Sequence, residues 1–298
     1  MTGTNVFVDE GQVLVSKIRC NEAPKQDIEQ AVTAIGGFQR LVEPGDKILI
    51  KPNFNTSDPP PASSDPLFVR AIIELLYEYG AKEVVLGESS MFRLSTRETL
   101  RQAGMLQAAE EAGARIVAFE DEEWITVRTS GRFLKRVDLA RAAVEATKIV
   151  YACCLKTHGL ADFTMSLKLA MGFVKPWKRL PMHARRLREK LVDLNIAIRP
   201  DLVLIDGRRC FISGGPMQGE VREPNLILAS GDRIAADVEG IKIIQSFPGH
   251  NLMAGAWDLP MIRQAVELNL GVQDETAYRL VTEPVLAGAR LEPLDTFK

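Results

Sequence analysis

Short apolar runs rich in Val and Ile alternate with helical patterns along almost the whole chain. That alternation restricts the fold more than any other feature. Runs at residues 13–18, 47–51, 83–87, 115–119, 148–155, 202–206 and 225–229 read as strands, each too short for a helix of ordinary length. Helical patterns are predicted at 26–39, 67–79, 96–113, 139–146, 164–173, 184–198, 233–246 and 259–270. In the second of these, Leu67, Ala71, Leu75 and Tyr79 recur every four residues and share a helix face. Strands separated by helices form βαβ units, whose crossovers are right-handed and place helices against the sheet. The prediction is therefore an α/β fold: a mostly parallel or mixed central sheet with helices on both faces. The 298 residues read as one large α/β domain over 1–298, with 247–298 as a smaller C-terminal appendage. Ser57-Asp58-Pro59-Pro60-Pro61-Ala62 and Gly214-Gly215-Pro216 are loops inside that domain rather than linkers.

Charge and cysteine content remove several function classes. Thirty-seven Lys and Arg oppose 39 Asp and Glu, a net charge of −2. A general nucleic-acid or membrane-surface binder would carry a basic excess, so neither partner is expected. The four cysteines, Cys20, Cys153, Cys154 and Cys210, show no C-x-x-C spacing and supply no iron–sulfur motif. Cys153 and Cys154 point to opposite sides of a strand and read as inert buried thiols. No G-x-G-x-x-G, H-E-x-x-H or G-x-S-x-G occurs. Gly214 and Gly219 have the spacing of a phosphate-binding loop, but Glu220-Val221 stand where Lys and Ser/Thr are required. With no nucleotide fingerprint, the cofactor is unidentified. The N-terminus lacks a basic segment followed by an apolar run, and no run reaches membrane-spanning length, so a cytoplasmic location is expected.

In parallel α/β sheets ligands bind beyond the carboxyl ends of the strands. Five predicted strands end in chemistry-bearing residues: Lys51-Pro52-Asn53, Glu88-Ser89-Ser90, Lys156-Thr157-His158, Asp206-Gly207 and Ser230-Gly231-Asp232. Pro52 holds Lys51 extended, so its ammonium either meets an anionic ligand or snorkels to solvent. Lys156 and His158 pair a cation with a group that titrates near neutrality, against the plainer reading of a polar loop. Thr164 and Lys168 lie one helical turn apart, and Lys168, set among apolar residues, reaches either solvent or a substrate. His183 sits in a basic stretch and joins the candidates, whereas His250 lies in a turn. The basic run 175–190 reads as a solvated helix face, with a phosphate or nucleic-acid patch as the alternative. Asp232 suits a helix N-cap, and Asp237 follows it inside the helix.

Taken together, Lys51-Pro52-Asn53, Gly87-Glu88-Ser89, Leu155-Lys156-Thr157-His158, Thr164 with Leu167-Lys168 and Met171-Gly172, Asp206-Gly207, Gly214-Gly215-Pro216 and Ser230 with Asp232 and Asp237 resemble the family catalogued as domain of unknown function 362. The resemblance spans about residues 47–240. It implies no general reaction; many members carry a ferredoxin-type cysteine cluster that this sequence lacks, and often a proline-containing segment where Ala152-Cys153-Cys154 stand here. The expectation is an enzyme of isomerase or lyase type acting on a small carboxylate or phosphate. Lys156, His158, Lys168 and Asp206 form its catalytic set, the acid orienting one of the bases. Lys51, Asn53, Ser89, Ser90, Thr164, His183, Gly214, Gly215, Ser230, Asp232 and Asp237 form its binding set, with backbone N–H groups near Ser89-Ser90 at a helix N-terminus. Two alternatives stand beside it: a non-catalytic ligand-binding or accessory module related to iron–sulfur proteins, and a metal enzyme built on Asp206, Asp232, Asp237 and His158 or His183. Homo-oligomerisation is possible on either reading.

Overall fold

The structure is a computed structural model that describes residues 4–21 and 23–282. Its strands begin with β1 (Val8–Asp9), β2 (Gln12–Arg19), β3 (Lys47–Pro52), β4 (Glu83–Glu88), β5 (Arg115–Ala118), β6 (Trp124–Arg128) and β7 (Arg136–Ala140). They continue with β8 (Lys148–His158), β9 (Asp162–Thr164), β10 (Leu202–Gly214), β11 (Gly219–Arg222), β12 (Leu226–Ser230) and β13 (Tyr278–Val281). The helices are α1 (Pro24–Thr33), α2 (Pro66–Glu78), α3 (Thr96–Gln102), α4 (Met105–Glu111) and α5 (Arg141–Glu145). After these come α6 (Ser166–Leu169), α7 (Pro176–Ala184), α8 (Leu187–Ala197), α9 (Arg233–Gln245) and α10 (Pro260–Glu267).

One large mixed sheet runs β1-β2-β12-β10-β8-β3-β4-β5. From β10 to β5 the strands are parallel, whereas β12 is antiparallel to both of its neighbours. Successive side chains on each central strand enter opposite layers, as the period of two requires. Leu49, Tyr151, Cys153 and Ile205 belong to one core, while Ile48, Ile50, Val150, Ala152 and Leu204 belong to the other. Burial on both faces is what makes these strands read as unbroken apolar runs. All four cysteines are buried and free, and Cys154, on the face opposite Cys153, lies near the Ser64 hydroxyl. β13 pairs with β2 in parallel and so returns residues 278–281 to the main sheet. The expected appendage, 247–298, includes 283–298, which lie outside the described residues.

Several predicted helices are shorter than their sequence patterns. The 96–113 pattern splits at Gly104, whose φ of +75° closes α3 before α4 begins. The 26–39 pattern breaks at Gly36 and Gly37, both with positive φ, after α1 has ended. Leu139 and Ala140, predicted as helix, close β7 in a two-stranded ribbon with β6, and only Arg141–Glu145 are helical. In α2 the Leu67 end of the predicted face is 60% exposed, because Leu67 belongs to the first turn and projects past the core that holds Ala71 and Leu75.

Two strands overshoot the sheet. β3 ends at Pro52 opposite Ala152, but β8 continues to His158 and turns back on itself as β9, pairing Lys156 with Thr164 and His158 with Asp162. β10 keeps pace after a register break between Asp206 and Cys210. The space left beside β8 beyond the end of β3 is where the cleft opens.

Candidate active site

A cavity of about 120 Å³ lies at the carboxyl ends of β3, β4 and β8. It is smaller than the ~300 Å³ at which drug-sized pockets begin, so it has room for a small molecule only. Lys51, Asn53, Glu88, Ser89, Lys156, His158, Thr164, Lys168, Arg179 and His183 contribute to its wall, with Phe54, Met171 and Pro216 among the others.

Lys51 reaches this cleft, yet its ammonium is already spent. Nζ lies 2.6 Å from both Glu88 carboxylate oxygens and donates to the Pro52 carbonyl at 2.7 Å. Glu88 also accepts from Phe54 N and Ser89 N, at 3.0 and 2.7 Å. Burial pushes the lysine down and the carboxyl up, and each holds the other ionised against it. The expected anion anchor is therefore half of a neutral buried pair. Gly172 makes room for it: a Cβ there would come within 2.3 Å of Lys51 Cε.

Lys168 is the opposite case. It projects from α6, and no carboxylate among the described residues holds it. Desolvation, then the charges of Lys156, Arg179 and Lys51, lower its ammonium to about 7. Lys156 donates to the Ala62 and Pro216 carbonyls, and burial lowers it too. The Lys156-Thr157-His158 motif is thus strand rather than loop, and it presents its lysine between two loops.

The two histidines expose different ring nitrogens. His158 Nδ1 accepts from Leu160 N and Ala161 N, at 3.0 and 3.3 Å, so a neutral ring carries its proton on Nε2. Burial, then Lys168, Lys156 and His183, push its imidazolium down to about 2. It is a hydrogen-bond donor at neutral pH, not the titrating base that the sequence suggested. His183 Nδ1 lies 2.8 Å from the Arg179 carbonyl, which can only accept, so Nε2 is left as the acceptor. Partial desolvation and the Lys168 and Arg179 charges hold this ring below the usual imidazole range, against the pull of that carbonyl.

Arg179 escaped the sequence reading because it sits inside the basic run 175–190. That run is two helices, α7 and α8, separated by Arg186 in a left-handed conformation (φ 55°). Lys178, Arg185 and Arg186 are exposed and Lys175, Arg188 and Lys190 partly so, but Arg179 is 8% exposed. Its guanidinium donates to the carbonyls of Val174, Ser89, Ser90 and Gly172. Four of its five N–H bonds are used, leaving one and a full positive charge beside the cleft. A buried arginine within a solvated charge run leaves no composition signal.

The other candidates divide by position. Asn53 lines the cleft on a backbone pinned at both polar groups by Ser64. The hydroxyls of Ser89 and Thr164 are buried beside the cavity without partners. Ser90 lies behind the wall: its N–H is bound by Thr96 and its hydroxyl donates to the Phe54 carbonyl. The Ser89 and Ser90 N–H groups are thus both occupied, and α3 begins only at Thr96, so the helix N-terminus expected beside Ser89-Ser90 does not form there. Gly214 and Gly215, both with positive φ, shape the end of β10; a Cβ on Gly215 would come within 2.0 Å of the Thr157 carbonyl oxygen.

Asp206 does not reach the bases. It pairs with Arg208, which also bridges to Asp65, in a separate pocket beside Cys154. Ser230 and Asp232 are at the far edge of the sheet, because β12 runs antiparallel and its end lies opposite Val203, near the start of β10. There Ser230 donates to the Leu14 carbonyl, and Asp232 caps α9 and binds Val272 N. Asp237 is fully buried under α6. The Asp and His set considered for a metal is not assembled, and no group of three such ligands forms among the described residues.

Fold and cleft together define a mixed α/β protein with a small cationic cleft at the carboxyl edge of its parallel strands. The model for the domain of unknown function DUF362 matches residues 48–242, and the chain belongs to that family. The thylakoid-associated protein sll1697 of Synechocystis sp. is 32% identical over 222 residues, which cover 72% of this chain and 68% of that protein. The lactate racemase apoprotein from Thermoanaerobacterium thermosaccharolyticum superposes with a TM-score of 0.45 and 11% identity. That match covers 82% of this chain, which spans 58% of the racemase chain. Among the described residues, no helix is long and apolar enough to cross a membrane.

Proposed function

We propose that this protein is an enzyme that moves protons on a small carboxylate or phosphate metabolite, of isomerase or lyase type. The observation that carries the reading is Lys168: an amine held near 7, without a carboxylate partner, on the wall of a small cationic cleft. A base is most effective when its pKa lies near the working pH. The Lys156 ammonium and the last Arg179 N–H would hold the substrate anion. Neutral Lys168 would then remove a proton from the carbon next to the carboxylate. The C–H electron pair moves into the carboxylate as an enediolate, and the proton leaves on the new Lys168 ammonium. Charge that develops on oxygen meets the His158 Nε2–H, a donor already in place before reaction. An isomerase returns the proton to carbon, and a lyase expels a neighbouring group; His183 Nε2 is a second acceptor at the mouth. The cations also favour the more negative transition state over the ground state.

The test is solvent exchange. Small 2-hydroxy, 2-oxo and dicarboxylic acids are incubated with the protein in D2O and followed by proton NMR. At least one should lose its α-proton signal, and Lys168→Ala should slow that loss by about 10²-fold or more. Ligands that bind without exchange would favour the binding-module reading, and full exchange by Lys168→Ala would remove the lysine from the chemistry.

A further inference from the structure

α6 has only four residues, too few to hold a shape by its own hydrogen bonds. It is nevertheless the element that presents Lys168. Its first two N–H groups, from Ser166 and Leu167, both donate to the Asp237 carboxylate, at 2.8 and 2.9 Å. Asp237 is 0% exposed and comes from the second turn of α9, a 13-residue helix anchored against the sheet. Two further braces meet the same turn: Ser166 Oγ donates to the Arg233 carbonyl at 3.0 Å, and Asn195 Nδ2 to the Leu167 carbonyl at 2.7 Å. The Arg233 guanidinium in turn holds Asn195 through its backbone and side-chain oxygens, at 2.7 and 3.2 Å.

We infer that Asp237 is a positioning residue for Lys168: its carboxylate gathers the two free N–H groups at the start of α6 and so fixes the lysine in the cleft. Burial raises Asp237 to about 7, and the Leu167 and Ser166 N–H groups oppose that by holding its ionised form, so two of its lone pairs are spent on one short turn. The inference rests on the proposed role of Lys168 for its purpose, but not for its test.

The lysines are reductively methylated with 13C-formaldehyde, and the Lys168 resonance is assigned by its absence from Lys168→Arg. In the wild type it should titrate near the lowered value. In Asp237→Asn, whose single side-chain carbonyl replaces two carboxylate oxygens, α6 loosens and Lys168 moves away from Lys156 and Arg179. Its midpoint should then rise by about one pH unit or more, a tenfold gain in proton affinity. Asp237→Glu, which keeps the charge but displaces it, should give a smaller rise. A folded Asp237→Asn with an unchanged Lys168 titration overturns the inference. So does unfolding of both variants, which would assign Asp237 to stability alone. Neither result depends on whether any carboxylic acid exchanges its proton, so this inference and the enzymatic reading can fail separately.

Discussion

The two edges of the central sheet both bury charge, and they treat it differently. At the edge where β12 ends, Asp232 receives Ile234 N, Ala235 N and Val272 N. Arg233 beside it donates to Asn195, Ile198 and Leu270. Each charge is enclosed by groups of the protein. At the opposite edge, Lys168 has no acid, and the Ser89 and Thr164 hydroxyls have no partner. The contrast separates charges enclosed by groups of the fold from one, Lys168, that is not. Among the described residues lining the cleft, one ion pair is enclosed in the same way, Lys51–Glu88.

Substitutions on both sides can break or sharpen this division. Arg233→Ala should have the largest effect on stability, a loss of about 3–5 kcal/mol in urea unfolding, since it strands carbonyls that cannot reach water. If it costs under about 1 kcal/mol, the enclosure of Arg233 does not hold the fold. Next is Lys51→Met, which leaves the Glu88 carboxylate buried and uncompensated. A loss of about 3 kcal/mol is expected, most of it recovered when Glu88→Gln is added. Additive effects in that cycle would place Lys51 with the free cations after all.

Lys168→Met should act in the opposite sense, with raised stability at pH 6 that fades as the pH rises. The direction follows from linkage. In the folded protein Lys168 titrates near 7 instead of the ordinary 10.5, so between those values the unfolded chain binds the extra proton. Wild-type stability relative to Lys168→Met therefore rises with pH across that window, and the advantage of the variant is greatest below about pH 7. Melting curves of both proteins at pH 6 and pH 9 read this directly. A variant that is clearly less stable at pH 6 would mean that Lys168 has a structural partner.

Much of the fold was legible because its central strands are buried on both faces, which leaves continuous apolar runs at 47–51, 83–87, 148–155 and 202–206. Strand direction leaves no such trace. Nothing in the 225–229 run distinguishes an antiparallel strand, and so Ser230 and Asp232 were expected at the wrong edge. Lys156, His158 and Lys168, which line the cavity, stand out in the sequence because each interrupts or ends an apolar run. Their states were not legible: the two N–H groups that fix the His158 tautomer belong to a turn formed only when β8 folds back as β9. Glu88 was visible at a strand end, but its partner is set by the pairing of β3 with β4. The helix pattern at 139–146 misled because a strand end and a short helix meet there without a break in composition.

Gly172 turns the absence of a side chain into an electrical property. The Lys51 stem passes so close that a methyl group at this position would overlap it. Displaced from Glu88, the ammonium would leave a carboxylate exposed to the cleft, and one wall would change from neutral to negative. An alanine here would thus act less as added bulk than through the pairing of Lys51 with Glu88, which it would disturb.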